Sequence, residues 1–166
     1  IDLPEKISPG GYYGAAVLSI TSALNAGAET RIVTRLAPLL FLRVAGPTVE
    51  TGALLDFNLI GSHLRFSADQ PTFFLTYQNT GAIYLNPYGL IKIKNQITGR
   101  QIDLPVDPWF VLPGTTRIRE MESSGTLASG WYQARLALNR GYGSSTDDRV
   151  VNFAIITPPA LLLSLL

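Results

Sequence analysis

Apolar and polar residues alternate along much of this chain with a period of two. In Gly89-Leu90-Ile91-Lys92-Ile93-Lys94, Ile91 and Ile93 fall on one side, and Lys92 and Lys94 fall on the other. In Trp131-Tyr132-Gln133-Ala134-Arg135-Leu136-Ala137-Leu138, the even positions point one way, while Gln133 and Arg135 point the other. A sheet with one buried and one wet face has this pattern. Similar runs, rich in β-branched and aromatic residues, predict strands near 11–20, 29–36, 38–45, 52–60, 71–78, 82–94, 100–105, 115–121, 130–140 and 149–157. Helical periodicity is weak. The stretch 21–29 contains Asn25-Ala26-Gly27 and reads as a loop. The stretch 34–42 is apolar on every side and is interrupted by Pro38, which predicts a buried strand pair rather than a helix.

The polar stretch 62–70 divides these runs and reads as a linker. Residues 71–157 hold six strands at sandwich-like spacing. Residues 1–61 hold four, too few to close a sandwich, and an open sheet leaves edges that invite another chain. The expected fold class is therefore all-β, with a complete sandwich at 71–157 and a partial one at 1–61. After Pro158-Pro159, residues 160–166 run apolar without a charge. A membrane span needs about 20 such residues. The segment 158–166 reads as the start of a membrane anchor, with a frayed tail or a strand docked on the core as the alternatives.

Composition narrows the chemistry. The 166 residues include 13 Lys and Arg against 12 Asp and Glu, a formal net charge of +1. This balance argues against a nucleic-acid partner. Charged residues are 15% of the chain, below the roughly 25% usual in globular proteins. With 46% hydrophobic residues, a sizeable core is available. No cysteine is present, so disulfides, thiolate metal sites and cysteine nucleophiles are excluded. His63 is the single histidine and has no second ligand near it in sequence. No Walker loop, zinc motif or nucleophile elbow occurs. Gly10, Gly11 and Gly14 do not form a dinucleotide fingerprint. Neither a cofactor nor a metal is expected, although Asp147 and Asp148 could join a loop calcium site.

Local motifs are mostly structural. Gly130-Trp131-Tyr132-Gln133-Ala134 fits the tyrosine corner of immunoglobulin-like sandwiches, with Ala134 where the second core cysteine would stand. Leu112-Pro113-Gly114 is a turn, in which Pro113 presets φ and Gly114 accepts positive φ. Asn79-Thr80-Gly81 is a second turn, and 95–99 closes a hairpin. The alternating charges of 117–122 predict a solvated strand face. Trp109 and Phe110 follow Asp107-Pro108 and read as a loop plug, or as a platform for sugars or peptides. Tyr12 and Tyr13 pose the same choice.

Taken together, Asn79-Thr80-Gly81, Leu85-Asn86-Pro87-Tyr88-Gly89, Ile93-Lys94-Asn95, the run 107–113, Arg117, Gly130, Tyr132 and Leu138-Asn139-Arg140-Gly141-Tyr142 resemble an uncharacterised family. Its members are membrane-anchored surface proteins of ultrasmall candidate-phylum bacteria. The resemblance covers about 71–157. Upstream, Leu3-Pro4 and Ser8-Pro9-Gly10-Gly11-Tyr12-Tyr13-Gly14-Ala15 resemble the end of the peptidoglycan-binding, immunoglobulin-like domain of WxL proteins. The resemblance implies immunoglobulin-like sandwiches on the extracellular face of the cell membrane, with the chain starting inside the first of them. It also implies a membrane helix that is only partly present. The expected function is non-enzymatic: a structural or binding module that contacts peptidoglycan or another cell-wall polymer, or a surface protein. Tyr12, Tyr13, Trp109 and Phe110 are the expected contacts. Gly130, Tyr132, Pro113 and Gly114 are the expected structural residues. The rival expectation is a subunit of a surface assembly, in which the first sandwich is completed by strand exchange, including with a second copy of the chain. A surface hydrolase would have to draw on carboxylates such as Asp103, Asp107, Glu120 or Asp147.

Overall fold

A computed structural model describes residues 4, 6–21, 33–66, 68 and 70–157. The predicted anchor at 158–166 lies outside the described residues, as do Ser67 and Asp69 of the predicted linker. The fold is all-β. Among the described residues, no helix is long and apolar enough to cross a membrane. The chain divides into two compact units, Ile1–Thr48 and Val49–Leu166.

The first unit carries β1 (Gly10–Ala15), β2 (Leu18–Thr21), β3 (Val33–Leu36) and β4 (Leu39–Val44). β1 pairs antiparallel with β4, and β2 pairs antiparallel with β3. The two ladders form one long stepped hairpin, because the Ala16 amide donates to the Pro38 carbonyl at 3.1 Å across the step. Pro38 has no N–H to offer, which explains why the ladder breaks there. The strand predicted at 11–20 is thus two strands. The buried pair predicted over 34–42 is different: β3 and β4 do not pair with each other, and none of their described side chains is buried. Two-stranded ladders have no interior in which to bury them.

The second unit begins with β5 (Gly52–Leu59), β6 (Leu64–Arg65), β7 (Thr72–Asn79) and β8 (Tyr88–Asn95). It continues with β9 (Gln101–Val106), β10 (Thr116–Glu122), β11 (Gly130–Asn139) and β12 (Thr146–Ile155). One sheet has the order β10-β7-β5, and the other has the order β6-β12-β11-β8-β9. All pairings are antiparallel except β6 with β12. The two sheets share one apolar core, the two-layer arrangement of a β-sandwich. Phe73, Leu75 and Tyr77 of β7 meet Ile91, Ile93, Leu136, Leu138 and Phe153 there. Along β11 the even positions are buried and the odd ones exposed or half-buried, as period two requires.

The structure moves the predicted boundary. β5 was placed by sequence with 1–61, but it pairs with β7 and contributes Leu54, Phe57 and Leu59 to the second core. The division therefore falls after Thr48, and the 62–70 stretch contains β6 instead of a linker. The polar residues around β6 concealed it. Only its two-residue pairing with Ala154 and Ile155 defines it. The strand predicted at 82–94 starts late, at Tyr88. Before it, Ile83 and Leu85 are buried, but only Leu85 forms a bridge, with Val111. A bulge between Leu54 and Asp56 turns Leu55 out to solvent.

Candidate functional site

The expected contact residues fall in different units. Tyr12 and Tyr13 are neighbours on β1, so their side chains take opposite faces. They are 40% and 37% exposed. The Tyr12 hydroxyl donates to the Ser8 carbonyl at 3.0 Å, and the Tyr13 ring meets Phe41 edge-on at 5.7 Å.

Trp109 and Phe110 lie in the loop between β9 and β10, and their environments differ. Trp109 is half-buried against the core, with its ring edge-on to Tyr77 at 6.2 Å. The Arg119 guanidinium lies over its outer face at 5.2 Å, and Arg119 Nη1 also donates to the Asp107 carbonyl. The indole N–H is buried without an acceptor. Trp109 therefore closes one end of the core beneath an arginine lid. Arg117, Glu120 and Glu122 of β10 face water as predicted, whereas Arg119 is half-buried and caps the tryptophan. Phe110 remains exposed beside Tyr84.

The expected structural residues sit at corners. The Tyr132 hydroxyl donates to the Ala128 carbonyl at 2.9 Å while its ring stacks on Phe153. At Gly130 a Cβ would lie 2.2 Å from the Asn95 amide nitrogen, so the close approach requires glycine. That same Asn95 side chain accepts from the Ile97 and Thr98 amides and shapes the β8–β9 turn. Gly114 has φ +67 after Pro113, and the Thr115 amide donates back to the Leu112 carbonyl. The Asn79 side chain, fully buried, donates to the Ile83 and Val111 carbonyls and accepts from the Gly81 amide.

Sequence reasoning missed a polar clamp at the start of β5. Asp147 accepts from Arg140 Nε at 3.0 Å, from Arg140 Nη2 at 2.6 Å and from the Leu54 amide at 3.1 Å. The Tyr142 hydroxyl donates to the Gly52 carbonyl and accepts from the Gly52 amide, and Tyr77 donates to the Arg140 carbonyl. Burial works to raise the Asp147 carboxyl, but Arg140 and the Leu54 amide outweigh it and hold the group below the usual carboxylate range. Burial, with Tyr142 and Asp147 close by, pushes the Tyr77 hydroxyl above its ordinary range. Asp147 is thus committed to the fold and not free for a loop cation. Among the described residues, no three His, Asp or Glu side chains gather as a metal site would need.

The outer face of the five-stranded sheet carries exposed chemistry. Arg135 of β11 stands directly opposite Lys92 of β8, and Gln133 stands opposite Lys94. All four are exposed, as are Asn152 beside Gln133 and Asp103 beside Lys92. Asp103 accepts from Gln101 at 2.7 Å. Arg140 pairs with Asp147, whereas no ion pair among the described residues holds Lys92, Lys94 or Arg135. Like charges placed directly opposite destabilise a sheet.

No protein-family model and no curated protein matches this chain. Among solved structures it is similar to a β-glucosidase from Erythrobacter marinus at 12% identity and a TM-score of 0.47. The match covers 64% of this chain and 16% of that one, and a likeness this slight carries no reading of activity.

Proposed function

We propose that this chain is a non-enzymatic module of the extracellular cell surface, whose second unit is an immunoglobulin-like sandwich that meets an anionic wall polymer such as peptidoglycan. The strand order supports the immunoglobulin-like assignment. In that fold's lettering, β7 and β10 correspond to B and E, and β8, β11 and β12 to C, F and G. The Tyr132 corner on the F-equivalent strand supports it further.

The single observation that carries the binding role is the opposed pair Lys92 and Arg135, with Lys94 next to them and amides from Gln133 and Asn152 alongside. A face of cations and amides, with Asp103 as the one carboxylate named beside Lys92, suits an extended polymer bearing carboxylates or phosphates. Phe110 of this unit is an exposed aromatic, as Tyr12 and Tyr13 are in the first unit, whereas Trp109 serves packing. Co-sedimentation with purified peptidoglycan sacculi tests the reading. Saturable pelleting is expected, weakened about tenfold by Lys92→Gln with Arg135→Gln and weakened further by salt. A folded double variant that pellets like the parent would refute it.

A second reading is favoured by the first unit. Leu18, Ile20, Leu36 and Leu39 of its hairpin are each more than half exposed. Such a hairpin is suited to completing a sheet with a partner chain. Sedimentation velocity across a dilution series tests it. An association that survives dilution supports strand exchange, and a strict monomer rejects it.

A further inference from the structure

One end of the second unit is apolar in a way the proposed polymer face does not use. Leu64, Ile97, Trp131 and Ile156 line one open cavity of about 400 Å³ together with Ile155 and Thr157. Their exposures are 43%, 76%, 54% and 50%. Phe66, just past β6, is 67% exposed. Single exposed apolar residues are ordinary, but four around one concavity mark a contact surface.

Three further observations say what kind of contact. The chain leaves the sandwich through this patch. The Thr157 amide donates to Ser129 Oγ at 2.9 Å, and the two hydroxyls also bond, which pins the exit to the cavity wall. The next residues in sequence are Pro158-Pro159-Ala160-Leu161-Leu162-Leu163, apolar and uncharged. A bilayer that received that run would lie within a few residues of the patch. The flanks of the patch are mainly basic. Lys94 lies on the adjacent strand and Arg100 closes the hairpin that carries Ile97, whereas Arg65 alternates to the other face from Leu64 and donates to the Ile60 carbonyl. Glu122 is the described acidic residue at this end, on the other sheet.

We propose that this end of the second unit seats on the headgroup region of an anionic lipid bilayer, with Trp131 and Ile97 entering the interface and Lys94 and Arg100 meeting lipid phosphates. Tryptophan is favoured at that depth because its ring is apolar and its N–H is polar. Apolar contact and basic attraction add on such a surface. The proposal shares Lys94 with the polymer reading but otherwise uses a different end of the sheet, and the Lys92→Gln, Arg135→Gln variant separates the two.

The test reads Trp131 itself. Trp109→Phe leaves Trp131 as the sole tryptophan and removes an N–H that has no acceptor. The full chain is added to vesicles of phosphatidylglycerol and phosphatidylcholine whose acyl chains are brominated near the headgroup. Trp131 emission is expected to fall by about half and to become shielded from aqueous iodide. Lys94→Gln should weaken this partition, and added salt should do the same. Binding of the chain with Trp131 unquenched would mean that the 158–166 run alone enters lipid, and would overturn the proposal. So would iodide shielding without vesicles: if independent of concentration it places the chain's own tail on the patch, and if concentration-dependent it places a second copy there. Ile97→Asp serves as a second variant that disturbs no buried group, and unchanged quenching in it would also reject the seating.

Discussion

Asp147 shows how one carboxylate can decide the pH range of a fold. Its folded-state affinity for protons is depressed, so the unfolded chain protonates first as pH falls. The stabilisation it provides is complete above the unfolded carboxylate range near pH 4 and is lost as pH drops below it. Asp147→Asn should lower stability by about 1–3 kcal/mol at neutral pH, discounted because Arg140 keeps some solvent contact. It should also flatten the acid limb of stability measured by urea unfolding across pH. Tyr77 acts at the other limit. Its hydroxyl holds its proton more tightly folded than unfolded, so its contribution persists below about pH 10 and fades above it. At Tyr132, replacement by Phe deletes the bond to the Ala128 carbonyl and should cost about 1 kcal/mol, read from the urea midpoint. Trp109→Ala should cost about 3–5 kcal/mol, because it opens the core end and strands the Arg119 lid.

At the scale of elements, alternation made the strands readable where one face is wet. β8 and β11 carry a strict period of two, and their buried positions follow it. The turns were readable as well, because Asn, Pro and Gly act through local backbone chemistry at Asn79, Asn95 and Gly114. Long-range pairing was not readable. Nothing local distinguishes β5, whose partner β7 follows it, from the strands of the hairpin before it. The boundary was misplaced for that reason. β6 is two residues long and owes its existence to a parallel neighbour some 90 residues later. The candidate site was legible only in part. Lys92, Lys94, Gln133 and Arg135 were visible as polar positions, but their juxtaposition depends on the β8–β11 register. Arg140 and Asp147 flank one turn, but the clamp's hold on Leu54 and Gly52 and the apolar end around Trp131 join residues distant in sequence, which alternation cannot relate. The aromatic pair at 109–110 looked like one feature, yet adjacent residues in an irregular loop took unlike environments.

For the molecule as a whole, the two units differ in what holds them together. The second has a core drawn from both its sheets, whereas the described strands of the first bury no side chain. A fragment spanning 49–157 should therefore fold alone and unfold in one cooperative transition, checked by coincident circular dichroism and fluorescence melts. Non-coincident melts would show that the fragment does not unfold as one cooperative unit, and a lower midpoint than in the full chain would show that the first unit contributes to its stability.

The parallel pairing of β6 with β12 has a mechanical consequence. The chain enters the second unit at Gly52, beside the Asp147 clamp, and departs past Ile155 at the opposite end. Tension between these two points pulls β5 and β6 one way and β12 the other. The Leu64–Ala154 and Arg65–Ile155 pairs, and the Leu54–Asp147 bond, then lie along the direction of pull. They must yield together in shear, not one after another as in peeling. Load applied between these two points would pass through this unit without first stripping away its terminal strand.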